Sequence, residues 1–441
     1  MALRLIRGSG KHERPIALLD LGSSKVSCLI VSQSTAEPGE ARLGAALPVR
    51  KLGMGLTRSR GIRAGTISDL AEAEEAVKKA VGQAEAEAGI RVDEVVVSVT
   101  AGRIQAVNFA ASTTPVNGNV TSADIDKMLV AGKAFAERDG RSLLHLQRLG
   151  FRLDGEQGIR NPRGMAGERL SLDLNAVTAD EAALRNIRLL LGRGYLTVST
   201  MVAAPYASAL ATLAEEDLQA STVVVDLGAG TTTFAVFRDG LFQFAGAIAI
   251  GGQQITQDIA RALSIPLIQA ERIKALYGNL VGAMSDEHEF VPLAQVNDPM
   301  AAEPKLTRSQ LRRIVAPRVE ETLQLVRERI AASGLGPQGP ERLVLTGGAS
   351  QLAGLGDTVA RSFGCRVRIG WPRAVAEMDP VAATPGAAAL LGLAYAVLVP
   401  GALGQISEFK AVNPAGYAGR LGRWFKDSFW DDEQPTDAGS A

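Results

Sequence analysis

A chain of 441 residues is long enough for several domains of ordinary size, about two to four. Its 47 basic and 47 acidic side chains cancel, so no global field points to nucleic acid, and an electrostatic partner must be met by a local patch. Cys28 and Cys365, the two cysteines, lack metal-ligand spacing and suit a reducing compartment as unpaired thiols.

Met1 to Arg14 is short, basic and mixed, without the apolar core and cleavage site of a secretory signal, and is expected to be a flexible tail. Ile16 to Ile30 then reads I-A-L-L-D-L-G-S-S-K-V-S-C-L-I. An apolar strand ends at Asp20, Gly22 opens a turn of small hydroxyl residues, and an alternating strand follows. The hydroxyls of Ser23 and Ser24 and the ammonium of Lys25 suit phosphate, a solvated turn being the plain alternative. Ser68 is expected to cap a helix over Asp69 to Ala88, with Leu70, Ala73, Val77, Ala80, Val81 and Ala84 on one face and Gly89 as its stop. Glu94 to Thr100 predicts a buried strand. From about Gly102 to Thr178 come strand-like runs, a helix capped near Ser122 and the turn-rich G-I-R-N-P-R-G-M-A-G-E-R-L (Gly158 to Leu170). That stretch predicts an inserted subdomain.

Thr197 to Leu213 predicts a strand, a turn and a small-residue helix entered at Pro205, crossing from one half of the molecule to the other. Val223 to Phe237, V-V-V-D-L-G-A-G-T-T-T-F-A-V-F, repeats the first hairpin, with Asp226 where Asp20 stood. Glycine in such a turn lets backbone N–H groups converge on an anion, and the carboxylate suits the hydration shell of magnesium. The repeat predicts two related α/β domains facing one ligand. Ala245 to Thr256 gives a further strand and a Gly251–Gly252 turn. Glu271 and Lys274 follow, three apart on one helix face, where a solvent ion pair is the plain reading.

Thr307 and Gln310 predict a capping box opening a helix to about Ala332, which Pro317 should interrupt and Gly334 should end. Arg342 to Leu355 places a Gly347–Gly348 turn after a strand, where a flat base or ribose can approach the main chain; an ordinary turn is the alternative. Val381 to Ser407 carries no charge. Its helix, opening at Pro385 and ending at Pro400, has about 14 residues, or about 21 Å, short for a membrane span. A buried helix is expected.

Gly401 to Ala418 reads as a linker. In Gly419 to Trp430, G-R-L-G-R-W-F-K-D-S-F-W, a helix would put Leu421, Trp424, Phe425 and Phe429 on one face with Trp430 at its edge. Arg420, Arg423 and Lys426 flank that face or lie opposite. The pattern matches an interfacial anchor for an anionic membrane, with docking on its own domain or in a partner's groove as the alternative. One short helix binds weakly, so self-association would multiply the attachment. The last eleven residues, 431–441, are acidic and expected to be disordered.

Two D-x-G hairpins, a connecting small-residue helix and a later T-G-G turn resemble the actin/heat-shock-chaperone/sugar-kinase superfamily. Within it the chain, from about Ile16 to Trp430, resembles the FtsA family of bacterial actin-like cell-division proteins. The G-I-R-N-P-R-G-M-A-G-E-R-L and T-V-S-T-M-V-A-A-P-Y-A-S-A-L stretches and the amphipathic tail carry that likeness. The resemblance implies an α/β, actin-like ATPase fold with two related domains around a nucleotide cleft. Subdomain 1A would take residues 15–92, 178–216 and 379–400, and an inserted subdomain 1C residues 93–177. Subdomain 2A would take 217–262 and 317–378, and 2B 263–316. The linker 401–418, the membrane helix 419–430 and the tail would follow.

The resemblance also implies ATP and magnesium as ligands. Asp20, Gly22, Ser23, Ser24 and Lys25 fall on the first phosphate motif, and Asp226, Gly228, Gly230, Thr231 and Thr232 on the second. Gly347 and Gly348 fall on the adenosine motif, Gly252 joins them, and Glu271 and Lys274 rise from ion pair to ribose and adenine contacts. Asp20 and Asp226 would hold magnesium through water. Leu421, Arg423, Trp424, Phe425, Phe429 and Trp430 would meet the membrane. The implied role is on the cytoplasmic face of the inner membrane at the division site, with FtsZ, further copies of the chain, anionic lipids and later division proteins as partners. One departure bears on mechanism. Ala203 and Ala204 precede Pro205 where strong ATPases of the superfamily often place an acid, so no carboxylate there can orient water, and slow or undetectable hydrolysis is expected. A sugar kinase or phosphatase of the same superfamily is the alternative, and would need a catalytic acid facing a sugar pocket. A chaperone-type ATPase would need a substrate-binding module after Pro400.

Overall fold

The structure, a computed structural model, describes residues 15–33, 43–292, 306–332, 339–399 and 401–402. The expected N-terminal tail, nearly all of the linker, the amphipathic helix and the acidic tail lie outside the described residues.

The chain opens with the hairpin β1 (Pro15–Leu21) and β2 (Lys25–Gln33), followed by β3 (Val49–Arg58) and a miniature hairpin, β4 (Ile62–Arg63) and β5 (Thr66–Ile67). Helix α1 (Leu70–Ala88) then leads to β6 (Glu94–Val99). The cap of α1 is Asp69, whose carboxylate accepts the Glu72 N–H at 3.0 Å, and not Ser68, which is one residue too early to reach that donor. Gly89 ends the helix in the left-handed conformation, as expected. The helix lies close on β3 because Gly53 and Gly55 lack side chains: a Cβ on either would collide with the α1 backbone at Ala84 or Ala80.

Next come β7 (Gln105–Thr113), α2 (Ser122–Ala136), β8 (Arg141–Leu153), β9 (Glu156–Ile159), β10 (Leu170–Asp180) and α3 (Glu181–Arg193). Strand β11 (Thr197–Ala203) runs directly into α4 (Ala204–Thr212), with Pro205 in its first turn where its missing N–H costs nothing. A short α5 (Glu215–Leu218) precedes the second hairpin, β12 (Thr222–Leu227) and β13 (Thr232–Arg238), and then β14 (Leu241–Ile248). Helices α6 (Gly252–Leu263) and α7 (Leu267–Tyr277) are followed by the short pair β15 (Phe290–Val291) and β16 (Leu306–Thr307). The long α8 (Arg308–Ala331), β17 (Arg342–Thr346), α9 (Leu355–Phe363), β18 (Arg366–Ile369) and α10 (Ala388–Leu398) complete the described elements.

Thr307 and Gln310 form the expected capping box at α8. The helix does not break at Pro317. Leu311, Val315, Val319, Leu323, Val326 and Ile330 bury one stripe on both sides of the proline, and that packing offsets a defect of about 3 kcal/mol. Helix α10 is buried, as its composition predicts, and no described helix is long and apolar enough to cross a membrane.

One sheet has the order β11-β6-β1-β2-β3 and the other β18-β17-β12-β13-β14-β7-β10-β8-β9. Each has an antiparallel hairpin with a parallel strand beside its first member, β6 against β1 and β17 against β12. The scheme of one half therefore repeats in the other, with Asp20 and Asp226 at matching strand ends. Strands β7 to β10 and α2 form the insertion, and its sheet extends the second half's sheet through the Gly246–Gln105 pair. Strand β6, which a boundary at Asp93 assigns to the insertion, pairs instead in the five-stranded sheet.

Candidate functional site

The two hairpin turns meet. A Cβ on Gly230 would lie 2.7 Å from Ser23 Oγ and 3.0 Å from the Ala64 nitrogen, so the turns and the β4–β5 tip share one point of approach. Gly65 N–H donates to Ser23 Oγ at 3.0 Å. Gln253, in the first turn of α6, joins the hairpins: its N–H donates to the Ala229 carbonyl at 2.8 Å and its side-chain amide to the Ser23 carbonyl at 3.3 Å. Gly228 N–H closes its own turn on the Thr231 carbonyl at 3.0 Å.

The double-glycine turn after β17 lies against the second hairpin. Gly347 has φ +85°, and a Cβ there would strike Asp226 Oδ1 and come within 2.5 Å of the Leu227 carbonyl, so glycine is required on both counts. A Cβ on Gly386 would lie 3.6 Å from both Gly348 Cα and Lys25 Nζ, which brings the Lys25 ammonium to this turn. Gly252 N–H donates to the Gly228 carbonyl at 2.9 Å, and a Cβ on Gly252 would be 3.0 Å from the Ala349 methyl. Lys274 Nζ donates to the Gly252 carbonyl at 3.0 Å, to Thr256 Oγ1 at 2.8 Å and to Glu271 Oε2 at 2.7 Å. Glu271 and Lys274 are thus an ion pair, and one seated at the start of α6 rather than in open solvent.

Not every candidate faces this point with its side chain. The Thr232 hydroxyl is buried and donates to the Ile250 carbonyl at 2.8 Å. The Ser24 carbonyl is taken by the Ser59 N–H at 2.9 Å, tying the first turn to the end of β3. The six membrane candidates lie outside the described residues.

Two carboxylates dominate the electrostatics. Burial pushes Asp20 up from the usual carboxylate range, against the opposing pull of the Ser98 hydroxyl and the Lys25 ammonium. Burial likewise pushes Asp226 up to about 6; the Ser208 hydroxyl and Lys25 oppose the shift and the Asp20 charge adds to it. Two like charges held near a single ammonium favour a further cation. Among the described residues no three carboxylate, imidazole or thiolate side chains gather into a metal cage. Magnesium needs none, because it keeps several waters and takes one or two carboxylates plus phosphate oxygens. The all-oxygen donor set and the side-chain-free glycine turns fit a magnesium–phosphate ligand.

Four contributors were not singled out as site residues in the sequence, although they lie in stretches read from it: Ser98 on Asp20, Ser208 on Asp226, and Gln253 and Thr256 on α6. Ser98, a polar residue inside a valine run, and Ser208, inside an alanine-rich helix, were the available signals. Ala203 ends β11 and caps α4, which Ala204 begins, and the Ala203 N–H donates to His145 Nε2 of β8 at 2.9 Å.

A family model described as "Cell division protein FtsA" matches residues 223–392, and one described as "SHS2 domain inserted in FTSA" matches residues 101–178. The cell division protein FtsA of Agrobacterium fabrum is 37% identical to this chain over 428 residues, 96% of each. That of Pseudomonas aeruginosa is 31% identical over 367 residues, 83% of this chain and 85% of its own. Among solved structures, a chain of a PilM-PilN type IV pilus biogenesis complex shares the fold with a TM-score of 0.60 at 18% identity, covering 87% of this chain and 99% of that one.

Proposed function

The chain belongs to the FtsA family of cell division proteins, with an actin-like ATPase fold and the inserted domain of that family, and from that premise we propose that it is an ATP-binding protein that polymerises on the inner membrane. In this reading it tethers FtsZ filaments to the cytoplasmic face of the membrane at the division site and recruits later division proteins. The observation that carries the nucleotide part is the meeting of the two Asp-headed turns at Ser23 and Gly230, with the Gly347 turn laid against Asp226.

Gly22, Ser23, Ser24, Lys25, Gly228, Gly230 and Thr231 line the turns that would bind phosphate, Thr232 contributing backbone. Gly347, Gly348 and Gly252, with Glu271 and Lys274 behind Gly252, would receive adenosine. Asp20 and Asp226 would hold hydrated magnesium, which when bound supplies the positive charge that separates the carboxylates from the phosphates. The start of α4 offers methyl groups and no base, so water beside the phosphates is not activated there and hydrolysis is slow. ATP then serves to hold the halves together and favour the polymerising form.

The test is co-sedimentation of the full chain with anionic liposomes, with and without Mg-ATP, beside a chain ending at Ala418 and the variants Trp424→Glu and Asp226→Ala. Loss of membrane binding is expected in the first two, and loss of ATP-dependent pelleting of filaments in Asp226→Ala. Membrane binding that survives both changes at the C-terminus would refute the anchor, and ATP-dependent filaments without Asp226 would refute the site.

A further inference from the structure

The two halves repeat one strand scheme, and the repeat is broken at a hydroxyl. Strand β6 lies parallel to β1, and one step beyond the Leu19–Val97 pair Ser98 donates its hydroxyl to Asp20 Oδ1. In the other half β17 lies parallel to β12 with Thr346 opposite Asp226. Thr346 does not do what Ser98 does. Its hydroxyl is within 2.9 Å of the Gly370 carbonyl and 3.2 Å of the Pro385 carbonyl. Ser208 takes the role instead, donating to Asp226 Oδ2 at 2.5 Å from the middle of α4. That helix issues from β11 of the opposite sheet. Asp20 is oriented from a strand of its own sheet, whereas Asp226 is oriented from a helix that follows the opposite sheet in the chain and packs on β12 and β13.

We propose that Ser208 is the positioning residue that sets the Asp226 carboxylate for a hydrated divalent cation, and that it makes this setting depend on how α4 is seated between the two sheets. With Oδ2 taken by the hydroxyl, Oδ1 remains, against the Gly347 turn. A hydrogen bond to one carboxylate oxygen restrains rotation and so orients the other, as outer-shell partners do for metal ligands. The mount is stiff. His145 of the insertion accepts the Ala203 N–H at the start of α4, Arg368 donates to the Thr212 carbonyl at its end at 2.7 Å, and α10 lies on Ala207 through the missing side chain of Gly392. The charged groups that Asp226 feels are Asp20, which repels it, and Lys25, which attracts it. Neither fixes the carboxylate plane as a donated hydrogen bond does.

This inference rests on the nucleotide reading above. The experiment measures binding of a fluorescent ATP analogue to the full chain during a magnesium titration, and again in EDTA, for wild type, Ser208→Ala, Asp226→Asn and the double variant. Ser208→Ala should raise the magnesium concentration for half-maximal binding about tenfold, the usual cost of losing an outer-shell partner. It should leave analogue binding in EDTA unchanged, and add nothing in the Asp226→Asn background. Equal losses with and without magnesium, an unshifted magnesium titration, or additive losses in the double variant would each overturn the role of Ser208 while the nucleotide reading stands. A wild-type chain that binds no analogue under either condition would overturn both.

Discussion

At neutral pH Asp226 carries its charge in a place that opposes it. Its pKa of about 6, above the ordinary 3.8, means that the native chain holds the proton more tightly than the unfolded chain. Stability from this group therefore falls as pH rises from about 4 to about 6, and at pH 7 the cost is complete, about 3 kcal/mol at the usual value per pKa unit. Asp226→Asn should stabilise the nucleotide-free protein at pH 7 by about 1–3 kcal/mol, a gain that fades toward about pH 3, where the carboxyl is protonated in both states. Denaturant melts at the two pH values check this; an equal gain at both would mean that charge is not the cause. In the proposed reading, such strain is what a cation-binding carboxylate costs before its cation arrives. Asp226, Asp20 and their glycines were legible in the chain because each motif is local, a strand end and a turn within a few residues. Ser208 and Ser98 were not, because one acts through the seating of a helix and the other through a parallel pairing of distant strands.

Elements were legible where one segment determines them. The α8 capping box is such a case, since Thr307 and Gln310 are three apart and satisfy each other. The continuity of α8 through Pro317 was not, because it depends on a core contributed by other segments. The docking of the insertion is a second long-range matter. His145 of β8 is fully buried against α4, accepts the Ala203 N–H through Nε2, and has no partner for Nδ1 among the described residues. Burial pushes its pKa down to about 3, so it is neutral in the native state, with the proton on the unpartnered nitrogen. The unfolded chain takes up a proton near pH 6.5 that the native chain refuses until about pH 3. Stability must fall as pH drops through that window, by about 2 kcal/mol at pH 5 from this residue. His145→Gln keeps an acceptor for Ala203 and cannot ionise. It should flatten the loss of stability between pH 7 and pH 5, as followed by thermal melts; an unchanged slope would place the acid sensitivity elsewhere.

At the scale of the molecule, duplication was readable from two similar hairpins, but the sharing of one core by both copies was not. Leu18 and Val97 of the first sheet, Val224, Ala235 and Phe237 of the second, and Leu144 and Val177 of the insertion all belong to one buried cluster around α4 and α10. Halves joined by continuous apolar packing lose it together, so the body should unfold as one cooperative unit and not sheet by sheet. Mg-ATP, in the proposed reading, binds between turns contributed by both halves and has no site in the unfolded chain. It should therefore shift the whole transition upward, by about 2.7 kcal/mol at a hundredfold excess over Kd. ATP in EDTA should shift it less, because Asp20 and Asp226 then repel each other and the phosphates without a cation between them. Scanning calorimetry distinguishes the cases. A single endotherm that moves intact with Mg-ATP supports a clamp built on a shared core, whereas two endotherms, of which the ligand moves one, would mean that each half is stable alone and that the nucleotide is held by only one of them.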